Sequence, residues 1–541
     1  MENQLWGMLF RLLQVTAQAG PTILVGFLVA GVMRRLMGYE LTKKMFGGDS
    51  LRSIPQAWLI GMLLPVCSLG AIPVIRQMHK AGVPGGAILA FALSAPLFNP
   101  ISLMYGLSLS TPVVIVTFAA LSLLIVTIVG LLIEKCFPFL DRPTEVVPPV
   151  SYGVRRMLSV GDAACRDAFH GLWIYLALGL IGSASLCLFL PYGFLQDKAE
   201  RTDVWAPLFM AVVSLPVYET PMTMIVKLGE MFQHGNSVGA AFALMILGAG
   251  VNIGVIVWLW LHYGKLRTFG CVGALFLIVV GLSYLVDKPL TPVGVAPVGH
   301  THAFDAYCTP FAPNTEVSFQ IVLQRFFQNL QLYEAASLVG WAVLILGGWL
   351  LSIDRHGKIE RWLEKPVNRS GTWDVELSAK FLSGTVFAGL VAASVLGCYL
   401  YYQPVEEVFA EMKTAHTPLA TAGNTKDWDG VQYWLPIVND WSRRVQVSAY
   451  LRRVPQTEFH EMQAKIFRDK LDLLRHAAED REPEVAQKAS LAMQKSYRRF
   501  RAAYFPLPRV KPLPTIDETS EKAEESNEPD SEPLHSDETT F

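Results

Sequence analysis

The sequence predicts an all-α polytopic membrane protein: two inverted repeats containing broken or re-entrant helices, followed by a C-terminal soluble helical hairpin or bundle. Three observations lead there. Hydrophobic residues make up 52% of the 541 and charged ones only 17%, with the apolar residues gathered in long blocks. The first half contains an internal repeat. After Tyr402 the composition changes to that of a water-soluble helical region.

A bilayer-spanning helix needs about 20 mainly apolar residues, because roughly 30 Å of hydrocarbon is crossed at 1.5 Å per residue. The clearest blocks are Pro21 to Met33 with its flanking apolar turns, Gly86 to Leu107, Pro112 to Ile133, Leu172 to Leu190, Val238 to Leu261 and Cys271 to Val286. Two more lie at Ala335 to Leu351 and Phe381 to Tyr402. The N-terminal stretch Met1 to Gln18 alternates polar and apolar residues helically and reads as an interfacial or first membrane helix, not a cleaved signal.

The repeat aligns the stretch from Leu64 with that from Leu215. Gly82, Gly86, Ala87, Ala90 and Asn99 fall on Gly235, Gly239, Ala240, Ala243 and Asn252, and the glycine-to-asparagine spacing is the same in both copies. The segment before that glycine is shorter in the first copy. Each copy carries prolines in an apolar segment: Pro65 and Pro73 with Gly70 in the first, Pro216 and Pro221 in the second. A broken helix in hydrocarbon leaves backbone groups unpaired, which is tolerated where they face protein or a water-filled cavity. Paired breaks therefore predict a substrate pathway; a simple proline kink is the alternative.

Charge selects the topology. With each interrupted segment a re-entrant hairpin, the loops bearing Arg34, Arg35, Lys43 and Lys44, then Arg76 and Lys80, Arg155 and Arg156, Lys265 and Arg267, and 355–369 all become cytoplasmic, as the positive-inside tendency requires. The loops at Ser108, Asp197 and Asp287 become external. Three spanning helices plus a hairpin per half make the copies inverted, the plan of alternating access.

The motif LPVCSLGAIPV, followed by GVPGGAILAFALSAPLFNP, resembles the predicted-permease family that includes the ArsP organoarsenical efflux proteins and the YraQ-type permeases. The resemblance covers about Pro21 to Asp287. It implies a membrane permease, and Pro65, Cys67, Ser68, Gly70, Pro73, Gly82, Pro96 and Asn99 match the family pattern. Many members have a second cysteine where this chain has Leu69, so a paired-thiol metalloid site is absent there. Cys67 alone is either a soft ligand or a small packing residue.

Other residues on the expected pathway are Tyr218 and Glu219 in the second interrupted segment. An intramembrane carboxyl is costly unless it serves a pathway; Glu219 is a proton-coupling or cation-attracting group, or a cap on exposed amides. Asn99 and Asn252 bond either broken backbone, substrate or a neighbouring helix. In the external loop, His300, His302, Asp305 and Cys308 are metal-ligand types in one short stretch, a grouping that polar loops more often contain by chance than for binding. A metal ion there is the one cofactor the sequence admits.

The expected organisation is a permease core at 1–290, with repeat one at about 19–135 and repeat two at about 168–287. Then come an external loop with an amphipathic helix at 291–334, two further membrane helices at 335–402, a soluble helical domain at 403–505 and a disordered acidic tail at 506–541. Helices at Gln456 to Ala478 and Pro483 to Tyr504, joined by a polar turn, form a hairpin. Seven scattered cysteines give no disulfide framework, and no nucleic-acid footprint, nucleotide loop or catalytic motif appears. The expectation is therefore a non-enzymatic permease of the bacterial inner membrane, moving a small solute or ion, with a metal or metalloid species among the options. Its C-terminal domain is extracytoplasmic and available to an envelope protein partner. The competing class is a membrane-anchored scaffold or receptor.

Overall fold

The fold is seen in a computed structural model that describes residues 2–109, 112–136, 154–292, 295, 300–311, 316–354, 358–363 and 379–505. The expected acidic tail at 506–541 lies outside these residues. Everything regular among the described residues is helical. Helix α1 (Glu2–Val32) carries Pro21 within it and passes through a π-helical turn at Met33–Met37 into α2 (Gly38–Met45). The N-terminal stretch is thus one continuous helix with the first apolar block.

The first repeat continues as α3 (Ser53–Leu63), a break, α4 (Ala71–Lys80), α5 (Gly85–Ser94), a second break, α6 (Pro100–Leu107) and the long α7 (Pro112–Cys136). After the amphipathic α8 (Val154–Phe169) and the apolar α9 (Trp173–Phe189), the same order returns. It runs α10 (Ala206–Ser214), a break, α11 (Pro221–Gln233), α12 (Val238–Ala243, prolonged by a π-helical turn to Ala249), a second break, α13 (Ile253–Tyr263) and the long α14 (Lys265–Asp287). The packing repeats too: α5 lies between α3 and α7, as α12 lies between α10 and α14.

Each copy therefore has two breaks, which corrects the expectation that Gly86 to Leu107 and Val238 to Leu261 are continuous spans. Asn99 and Asn252 are the reason. Each adopts extended backbone and caps the helix after it: Asn99 Oδ1 accepts from Ser102 N at 2.7 Å, with Pro100 at the first helical position, and Asn252 Oδ1 accepts from Val255 N at 3.0 Å. Helices of ten residues such as α4 and α5 extend only about 15 Å, half the hydrocarbon thickness.

Among the described residues, five helical runs are long and apolar enough to cross a membrane: 2–45, α7, α14, α16 (Leu332–Ile353, after α15, Phe319–Asn329) and the stretch Gly384–Tyr401 of α18 (Ala379–Tyr401, after α17, Lys358–Leu363). Two bent pairs, α8 with α9 and α12 with α13, each turn by 56° and raise the number to as many as seven. The amphipathic helix expected at 316–334 is the shorter α15. Glu334 instead caps α16, accepting from Gln331 N at 3.0 Å.

Loop contacts fall into two sets. In one, Arg156 donates to Leu36 O, Arg35 and Arg166 pair with Asp162, Arg76 pairs with Asp167, and His79 meets His262 and Tyr263. In the other, Ser237 bonds Ala199 O and Asp287, Gln196 bonds Asp305, Arg443 bonds Gln233, and Tyr105 bonds Asp440. The turn after α4 belongs to the first set and the turn after α11 to the second.

The chain divides into two compact units. Residues 436–455, spanning the latter part of α20 (Trp428–Leu451) and the turn beyond its end, belong with the membrane helices, as does the start of α19 (Val405–Thr425) up to Ala415. Arg452 donates to Tyr402 O at 2.6 Å within that unit. The second unit comprises 416–435 and the residues from Gln456 on. In it α21 (Glu458–Glu479) and α22 (Pro483–Tyr504) pack side by side around Phe467 and Phe500, stacked 5.7 Å apart. His416 stacks on Tyr497 at 4.1 Å there.

Candidate substrate pathway

The breaks meet at the centre of the first unit. In the first, from Leu64 to Gly70 and opening at Pro65, the Cys67 sulfur accepts from Gly70 N at 3.2 Å and from the Thr22 hydroxyl at 2.9 Å, so it caps the start of α4 and ties it to α1. Ser68, fully buried, accepts from Asn252 Nδ2 at 2.7 Å, joining the first break of one copy to the second break of the other. Gly70 is required by packing: a Cβ there would lie 2.4 Å from Thr22 O, and one at Gly26 would lie 2.1 Å from Gly70 O. Pro73 is buried in the first turn of α4.

The second copy obeys the same logic with different groups. After Pro216, Tyr218 N donates to the Ser183 hydroxyl of α9 at 3.1 Å, as Thr22 of α1 serves the first break. Thr220 caps α11 through a reciprocal pair with Thr223, and Pro221 takes the first helical position. The buried Tyr218 ring brings its hydroxyl to Cys67 and Thr22, so the two interrupted segments touch. Cys67, Ser68, Tyr218 and Asn252 are thus brought together. Asn99 is not among them; it caps α6.

A cavity of about 370 Å³ reaches this junction at Ser183 and Tyr218. Glu219, 5% exposed, stands in its wall and forms an ion pair with Lys227, two turns further along α11. The Lys227 ammonium also lies 4.3 Å from the centre of the Tyr307 ring, whose buried hydroxyl is near Glu219 and has no hydrogen-bond partner of its own among the described residues. Arg11 on α1 closes another side. Its guanidinium donates to Asp305 O at 2.6 Å, to Cys308 O at 3.3 Å and to Gln14 Oε1 at 2.9 Å. Asp440 and Arg444 of α20 form a further ion pair in the wall, with Arg444 over the Tyr401 ring at 4.3 Å.

The external-loop residues are split between roles. His302 Nδ1 lies 2.9 Å from Asp305 Oδ2, and the same carboxylate accepts from Gln196 Nε2 at 3.0 Å, so the pair fastens the loop over the cavity. His300 packs its ring against His302 and His234. The buried Cys308 thiol lies against the backbone of Phe194 and Leu195. The four do not share one ligand centre.

Sequence reasoning missed Arg11, Lys227 and Tyr307, and the wall residues Asp440 and Arg444. Arg11 and Lys227 carried a signal, being lone cations in otherwise apolar helical stretches. Asp440 and Arg444 lie in a segment whose composition is that of a soluble helix.

Residues 6–288 match a protein family described as "Predicted permease". The UPF0718 protein YcgR of Bacillus subtilis is 24% identical over 283 residues, covering 51% of this chain and 95% of that protein. A UPF0718 protein of Methanocaldococcus jannaschii is 26% identical over an alignment of 329 residues, covering 49% of this chain and 90% of its own. A Streptococcus mutans protein named "Putative two-component membrane permease complex subunit" is 25% identical over 91 residues, 17% of this chain and 30% of that one. No solved structure matches the chain.

Proposed function

The chain belongs to this predicted-permease family, and from that premise we propose that it is a secondary permease of the bacterial inner membrane, moving a small solute or ion between the paired breaks. Metal and metalloid species remain within that class. The observation that carries the reading is the contact of broken segments from both copies at Cys67, Ser68, Tyr218 and Asn252, with a charged cavity that reaches this junction at Tyr218. Half-length helices capped by polar side chains are tolerable in a bilayer where they line such a route. In this reading the two copies are inverted, one hairpin entering from each face, which is supported by the turns after α4 and α11 keeping company with different sets of loops.

Lysine and arginine are concentrated in the set that includes Arg34, Arg35, Arg76, Lys80, Arg155 and Arg156, which makes that face cytoplasmic. The cavity and residues 436–455 then face away from the cytoplasm, and the second unit is extracytoplasmic. The name of the Streptococcus relative supports a protein partner for the complex, which the second unit is free to recognise. With no nucleotide loop in the sequence, an ion gradient or that partner supplies the energy.

The test is substrate-challenge growth together with uptake into membrane vesicles, comparing the native chain with Cys67→Ala, Glu219→Gln and a chain ending at Pro455. Removal after Pro455 spares the cavity wall, whereas an earlier truncation would delete Asp440 and Arg444. The permease reading expects Glu219→Gln to lose most of the flux. If both point variants match the native chain and only the truncation fails, the protein is a scaffold for its C-terminal unit.

A further inference from the structure

The Glu219 carboxylate sits in surroundings suited to an anion. It pairs with the Lys227 ammonium, has the Tyr307 hydroxyl nearby, and lies beside the first turn of α11, whose partial positive charge favours negative groups. Nearby in the same cavity, the hydrogen bonds of the Arg11 guanidinium among the described residues go to neutral acceptors, two backbone carbonyls and the Gln14 amide. The Asp305 carboxylate is taken by Gln196 and His302. The other wall cation, Arg444, has its own carboxylate in Asp440. A half-buried guanidinium that feels the Asp305 and Glu219 carboxylates without making an ion pair to either keeps its planar fork available, and that fork matches a carboxylate or another oxyanion.

We infer that the cavity binds a small anion, held by Arg11 and by the Lys227 ammonium that Glu219 otherwise occupies, and that Glu219 takes up one proton as it yields its place. This rests on the permease reading above and names the substrate class of that same site. The two arrangements exclude each other, since Lys227 cannot pair fully with a carboxylate of its own and with an incoming anion. Charge then balances: the anion brings one negative charge and the proton on Glu219 removes one, so the loaded wall carries the same net charge as the empty one. The groups facing Glu219 are Lys227 from its own helix, Arg11 from α1, Tyr307 from the loop and Tyr218 beside it. Glu230, His302, Tyr333, Tyr401 and the Asp440–Arg444 pair complete the titratable lining. The cavity, about 370 Å³, has room for a small anion together with water.

Because bound ligand stabilises the folded state by mass action, the test is thermal unfolding of the purified full-length protein. It is run at pH 5.5 and 7.5 with inorganic phosphate, sulfate or succinate, against choline and glycerol, with sodium chloride as the reference. At least one anion should raise the midpoint, with apparent affinity at least fivefold higher at pH 5.5. Glu219→Gln should bind that anion at both pH values alike. Arg11→Gln should lose affinity at least tenfold, and Arg11→Lys should recover part of it. If Arg11→Gln does not fold, Lys227→Met carries the same expectation. Protection by no anion of the panel, equal protection by choline, or unchanged affinity in the folded Arg11 and Lys227 variants overturns the inference. Vesicle flux of cations or neutral solutes alone would overturn it while leaving the permease reading intact. Absence of Glu219-dependent flux, with anion binding retained, would overturn the permease reading alone.

Discussion

At the scale of single residues, the breaks are held open by polar side chains that replace the missing helical partners. An asparagine cap contributes roughly 1 kcal/mol. Asn252 does more than cap α13, since its amide also reaches Ser68 in the other copy. Asn252→Ala should therefore destabilise the protein by more than Asn99→Ala, which caps without crossing to the other copy; chemical unfolding of the two variants in one detergent makes the comparison. His416 offers a separate test in the second unit. Burial against Tyr497, reinforced by Arg498, holds its imidazole down to about 4 from an ordinary 6.5. Below pH 6.5 the unfolded chain takes a proton that the folded one refuses, so stability of this unit falls between pH 6.5 and 4 and levels off below. The loss is at most about 3 kcal/mol. Hydrogen exchange in α21 and α22 should quicken from pH 7 to 5 after correction for intrinsic rates, and His416→Phe should flatten that response. These caps were half legible in the sequence. The dipeptide Asn99-Pro100 is a helix start, but the unbroken apolar run from Gly86 to Leu107 outweighs it in any window of spanning length.

At the scale of elements, the short helices around the breaks approach their neighbours more closely than side chains allow. A Cβ on Gly254 would stand 2.2 Å from Tyr175 O, and one on Gly70 2.4 Å from Thr22 O, both against backbone that cannot step aside. Gly70→Ala and Gly254→Ala should each sharply lower the yield of folded protein. Gly273→Ala and Gly281→Ala on α14, with nothing within 4 Å of the added carbon, should leave yield unchanged or improved by the higher helix propensity of alanine. Fluorescence-detected size exclusion of tagged variants reads this directly. Periodicity showed which stretches are helical, and the repeat showed that they come in two sets. It could not show that α1 and α9 are the helices that brace the breaks, because those contacts join residues far apart in the chain, Thr22 with Cys67 and Ser183 with Tyr218.

At the scale of the whole molecule, the chain is a membrane permease by family, with its pathway proposed where two sets of broken helices meet. The apolar blocks and the repeat made the class legible; the cavity was not, because Arg11, Glu219, Lys227, Tyr307 and Arg444 are contributed by distant segments. The proposed pathway requires the hairpin formed by α4 and α5 and the one formed by α11 and α12 to enter from opposite faces. The direct measurement is labelling of Lys80→Cys and Glu230→Cys with a membrane-impermeant maleimide, in right-side-out and inside-out vesicles, against the parent protein as background. Lys80→Cys should react only from the cytoplasmic face and Glu230→Cys only from the other. Reaction of both from the same face would contradict the inverted arrangement and the pathway built on it.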